Sequence, residues 1–149
     1  MIVINTVLNL ATFRKDKKIQ YERDMLKDFS LETLGRHYRH LAKGLKCLPG
    51  CSLEPAEDHC YDIAVEAFLL GAAYSKFSRY GEPIEKIKER SQSEIRMLTN
   101  QLFHYLIQPV ENVSAFIEDT LYYLSDEYVM IWWLEGYSKG KNRLKLRFR

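Results

Sequence analysis

Apolar side chains recur every three or four residues along most of this chain, and that spacing restricts it to rods packed on rods. Between Asp16 and Phe29 the stripe runs Ile19, Glu22, Leu26 and Phe29, widened by Met25. Ser30 has the form of an N-cap, and a helix over about 31–46 sets Leu31, Leu34, Tyr38, Leu41 and Leu45 on one side. A third helix, about 56–79, carries Cys60, Ile63, Ala67, Leu70, Tyr74 and Phe77 on a stripe. Val65, Phe68, Leu69, Ala72 and Ala73 make its other faces apolar too, which places it at the centre. A fourth, about 83–107, shows Ile84, Ile87, Ser91, Ile95, Leu98, Leu102 and Tyr105. The last run, about 112–139, includes Val113, Phe116, Ile117, Leu121, Leu124, Tyr128, Ile131 and Trp132. Ser125-Asp126-Glu127 would allow it to be two helices, and Gly136 and Gly140 suggest a fading end. Residues 1–13 are apolar without clear period, so a short strand over Ile2–Ile4 and a helix start both remain open.

Punctuation agrees with the periodicity. Pro49-Gly50 marks a loop, Pro55 suits the first position of a helix, and Glu57 and Asp58 suit its first turn. Gly81 suits a left-handed C-cap and Pro83 a fresh start, so the third and fourth helices form an antiparallel hairpin. Gly and Pro number only 11 in 149 residues, too few for a turn-rich β fold. The expected architecture is all-α: an antiparallel bundle of four to six helices, with a single domain over 1–138 and a basic tail over 139–149. From Lys139 to Arg149 there are six bases and no acid, leaving 16 bases and 20 acids for residues 1–138. Arg143 to Arg149 alternates with period two, which suits an edge strand, a free arm or an arm on a partner.

The odd count of three Cys and the absence of a basic, apolar leader point to a reducing, cytoplasmic setting with free thiols. No run reaches the roughly 18 apolar residues that a spanning helix needs, so no membrane is expected.

Four groupings could carry chemistry. Cys47, Cys51, His59 and Cys60 are zinc-ligand types, but adjacent helical positions diverge by about 100°, so a metal site on Cys47, Cys51 and His59 is disfavoured against loose thiols and one core Cys. His37 and His40 face the same way, among Arg36 and Arg39, which favours an exposed basic face over a cation site. No Glu stands three residues before any His, which argues against a ferritin-like di-iron site. Asp62 and Glu66 lie one turn apart on the central helix, and with Tyr74 they are the expected lining if there is a pocket. A buried hydrogen bond or salt bridge for Glu66 is the structural alternative, and the favoured one. Of Trp132 and Trp133, neighbours on a helix, one should face the core and the other an interface. No phosphate-cradling Gly loop, nucleophile elbow or specific Cys–His pairing is present, so neither catalytic residues nor a cofactor is implied.

The segments Glu66-Ala67-Phe68-Leu69-Leu70-Gly71-Ala72, Tyr80-Gly81-Glu82-Pro83 and Trp132-Trp133-Leu134-Glu135-Gly136-Tyr137-Ser138-Lys139-Gly140 resemble a family of small, uncharacterised helical proteins of bacilli, a domain of unknown function. The resemblance covers the chain after about residue 14. It implies a bacterial cytoplasmic setting and brings no activity, ligand or catalytic residue. The three Cys lie outside its pattern. The first functional expectation is therefore a non-enzymatic interaction protein, a homodimer working through protein contacts. The second is a nucleic-acid accessory protein using Arg36, Arg39, Lys43, Arg143, Lys145 and Arg147. The third is a metal-dependent enzyme with its site between helices.

Overall fold

A computed structural model describes residues 2–147, with side chains described for residues 9–146. It contains six α-helices: α1 (Ile2–Leu26), α2 (Leu31–Lys46), α3 (Glu57–Tyr74), α4 (Ile84–Arg90), α5 (Gln92–Ile107) and α6 (Ala115–Arg147). Short 3-10 turns, Glu54–Ala56 and Ser75–Tyr80, flank α3, and there is no strand among the described residues. The local signals explain most ends. Ser30, extended at φ −92 and ψ 124, accepts the Thr33 N–H at 3.2 Å and starts α2. Ser114 accepts the Ile117 N–H at 3.2 Å and starts α6. Gly81, at φ 76 and ψ 13, closes the turn after α3.

The centre is a pair of parallel helices, α3 and α6. Their levels match in order: the Tyr128 hydroxyl donates to the Cys60 carbonyl at 2.9 Å, Gly136 meets the backbone of Phe68, and Gly140 meets Ala72 and Ser75. At Gly71 and Gly136 the two backbones touch. A Cβ on either glycine would fall within 2 Å of a carbonyl oxygen on the other helix. The chain returns between them through α4 and α5, so the up-down-up course makes α3 and α6 parallel. On the other side α1 and α2 both pack on α6, and α2 is antiparallel to it, His37, His40 and Gly44 meeting Glu135, Glu127 and Leu124 in turn. Tyr21 of α1 donates to the Ala72 carbonyl at 2.8 Å, Phe29 stacks on Trp132 at 4.8 Å, and His40 of α2 lies 3.1 Å from Glu127.

Several expectations change. Of the strand and helix start left open at the N-terminus, the stretch from Ile2 is helix. Helix 83–107 is broken at Ser91, whose hydroxyl donates to the Lys88 carbonyl at 3.2 Å and ends α4. Of the one helix or two left open over 112–139, the structure has one, starting at Ala115, because Ser125 is buried and donates back to the Leu121 carbonyl at 2.8 Å instead of capping a new start. The stretch from Lys139 is not a separate tail as far as Arg147: α6 runs through it, Gly140 packs on α3, and Arg143 pairs with Asp28 at 2.6 Å. The period-two alternation is thus carried by helix, and its last two residues, 148 and 149, lie outside the described residues. Both Trp132 and Trp133 are buried, at 1 % and 0 % exposure, because α6 is enclosed on opposite sides. Trp132 sits among Phe29, His37 and Phe68, while Trp133 stacks on Tyr137 and its carbonyl faces Gly71.

Candidate functional site

The residues singled out from sequence do not gather. Asp62 and Glu66 both stand on the outer face of α3, so Glu66 is not the buried carboxylate its apolar neighbours suggested. Tyr74, half-buried, turns toward α5 and donates to Glu94 at 2.7 Å, a bond that raises its pKa first, with burial adding to it. His59 stacks flat on Tyr105 at 3.5 Å, and the Cys47 thiol rests on the Lys43 carbonyl at 3.7 Å. Cys60 is buried beneath α6, and desolvation pushes its thiol up to about 12. Among the described residues no three His, Cys, Asp or Glu side chains come together as a metal set would require.

The histidines of α2 reach α6 instead of a shared ligand. His40 lies 3.1 Å and His37 3.7 Å from carboxylates, those of Glu127 and Glu135. Burial against Trp132 lowers the pKa of His37, and the carboxylate of Glu135 offsets part of that. Arg36, Arg39, Lys43 and Lys46, spaced by three and four, form an exposed stripe on the opposite side of α2. Arg143 is held by Asp28, Lys145 is exposed, and Arg147 is the last helical residue described.

Concave surface lies elsewhere, along α5 and, in its larger part, between α5 and the first turns of α6. Two adjoining hollows of about 310 and 540 Å³ share Asn100 and His104. The first is finished by Met97, Gln101 and Tyr105, the second by Phe103, Glu118, Asp119 and Tyr122. Phe103 and Tyr122 meet edge to face at 5.5 Å and form its wall. Phe116 and Tyr123, on one stripe of α6 with Asp119, stand out at 70 % and 65 % exposure. Glu118 and Asp119 make this end acidic, and neither hollow is lined by Lys or Arg. The surface offers one imidazole, amides and two carboxylates around aromatic rings. Such a surface can recognise a partner carrying apolar and cationic groups. Sequence reasoning missed it, although Phe116 next to Ile117, and Tyr122 next to Tyr123, put aromatics on faces where only one of each pair can turn inward.

The fold and this surface together define a small all-α bundle with an open hollow walled by aromatic rings. The chain belongs to a family described as a protein of unknown function, DUF2521, whose model matches residues 4–149. It is similar to the uncharacterized protein YbaK of Bacillus subtilis (strain 168), 28 % identical over 144 residues that span 96 % of this chain and 98 % of that protein. No solved structure matches. No helix of the structure is long and apolar enough to cross a membrane.

Proposed function

We propose that this protein works through protein contacts and not through chemistry of its own, assembling first of all with a second copy, and that the α5–α6 groove is its docking face. One observation carries the reading: Phe116 and Tyr123, large aromatics that a monomer would gain by burying, stand exposed on the same stripe of α6 as Asp119, which lines the open hollow. Interface centres are enriched in such side chains, and a few of them supply most of the binding energy. The joint variant Phe116→Asp/Tyr123→Asp changes exposed positions and should keep its helical circular dichroism. Its self-association, measured by sedimentation, should weaken by at least about tenfold. Unchanged association would remove the groove from this role.

A second reading rests on the exposed basic stripe of α2, where Arg36, Arg39 and Lys43 share one face. There the partner would be a nucleic acid, bound through phosphates and weakening with salt by a log–log slope of about −0.9 per phosphate neutralised. Removing the chain beyond Ser138 would also remove the Gly140 and Arg143 contacts, so the test is Arg36→Gln/Arg39→Gln/Lys43→Gln. Equal RNA and DNA binding by that variant and the parent would end the reading.

A further inference from the structure

The first helix presents an apolar face that its own chain leaves open. One stripe of α1 holds Met25, Tyr21, Lys17, Phe13 and Leu10, at helical spacings of three and four. At its C-terminal end the stripe is used: Met25 is fully buried and Tyr21 bonds Ala72. Farther on, residues 9–20 are all exposed, with Leu10 at 54 % and Phe13 at 57 %. The stripe therefore continues past the end of its own core. Arg14, Lys15, Lys17 and Lys18, against the single acid Asp16, make this part of the helix strongly basic.

The groove has the opposite character. It is walled by Phe103 and Tyr122 and edged by Glu118 and Asp119. The two features also lie at opposite ends. Tyr21 sits at the level of Ala72 and Gly140, and Gly140 is about 30 Å along α6 from Glu118–Tyr122 at 1.5 Å per residue. Phe13 and Leu10 lie only about 12 and 17 Å along α1 from Tyr21 at 1.5 Å per residue, short of that distance in any direction α1 takes. This part of the helix therefore does not reach its own groove, and its side chains are exposed.

We infer that the exposed part of α1 docks in the α5–α6 groove of a second copy, Phe13 and Leu10 against the aromatic wall and the Arg14–Lys18 bases against Glu118 and Asp119. The inference rests on the reading of the groove as a docking face. With arm and groove at opposite ends, two chains lying antiparallel satisfy both arms and both grooves at once. The product is a closed two-fold dimer with no free arm, where a same-direction arrangement would propagate as a filament. Helix-in-groove docking with apolar anchors and flanking charge is an established mode of recognition.

The experiment is sedimentation of the full chain over about 1–100 µM, the range in which a groove-docked helix commonly associates. The parent chain should reach a dimer and stop there. Phe13→Asp, at an exposed position, should keep its helicity and weaken the dimer by at least about tenfold. Glu118→Lys/Asp119→Lys should weaken it similarly, and adding Lys17→Glu/Lys18→Glu should bring affinity back to within about threefold of the parent, the reciprocal pattern of a paired contact. A parent that stays monomeric to 100 µM, or that grows into open polymers, overturns the inference. So does a dimer unmoved by Phe13→Asp. If that dimer is still weakened by Phe116→Asp/Tyr123→Asp, the groove keeps its docking role and only α1 is excluded as the occupant.

Discussion

Protonating His37 means placing a cation in a partly buried site beside Trp132, whose ring stands perpendicular to the imidazole with centroids 5.1 Å apart. The Nε2 atom is buried without a hydrogen-bond partner, and Glu135 at 3.7 Å is too distant to supply one. Desolvation is the main reason its pKa is lowered. Glu135 raises it, and Arg36 and His40 lower it further. In the unfolded chain the ring titrates near 6.5. The unfolded state therefore binds more protons in the window below that value, and stability must fall there. His37 thus contributes fully above about pH 6.5 and loses its contribution as pH drops through the lowered folded value. Thermal unfolding between pH 8 and pH 5 should show the melting temperature of the parent falling more steeply than that of His37→Gln. Equal slopes would mean that the neutral ring is not required by its surroundings.

The α3–α6 pair shows what periodicity can and cannot convey at the scale of an element. Gly71 and Gly136 let the two backbones meet, so a methyl group on either would strike a carbonyl oxygen of the other helix. Ala is the better helix former by about 1 kcal/mol. Even so, Gly136→Ala should lower the free energy of urea unfolding by about 3 kcal/mol, because the obstruction is backbone and cannot swing aside. Gly81→Ala meets nothing in space but must hold φ 76, and it should cost only about 1–2 kcal/mol. If Gly136→Ala were the milder of the two, the close crossing would be wrong. From sequence, Gly136 and Gly140 suggested a fading helix, since a glycine that ends a rod and one that admits a neighbour look alike in one dimension. Glu66 misled for the opposite reason. Its apolar neighbours on α3 belong to several faces, and the one strip left to solvent is where Asp62 and Glu66 stand. The α2 boundaries were legible because Ser30 and a single clean stripe agree. The groove was not, because it is made by two helices whose relation no local pattern encodes.

At the scale of the whole molecule, α1 is the element least supported by its own chain. A helix of this length is marginal in water without a packed face, and the described side chains from Asn9 to Gln20 have none. Among its described side chains the buried contacts lie at the other end, where Met25 is buried, Tyr21 bonds Ala72, and Asp28 just beyond the helix holds Arg143. Exchange of backbone amides with deuterated water should separate the two halves. In dilute protein, amides of residues 9–20 should exchange almost as fast as an open chain, while those of α3 and α6 follow global unfolding. Docking in a partner's groove would link the arm's protection to association, so protection of 9–20 should rise with protein concentration while that of α3 and α6 stays level. Phe13→Asp should abolish the rise. Protection of 9–20 that is strong and independent of concentration would show the arm stable by itself, and the exposed stripe would then need no second chain to explain it.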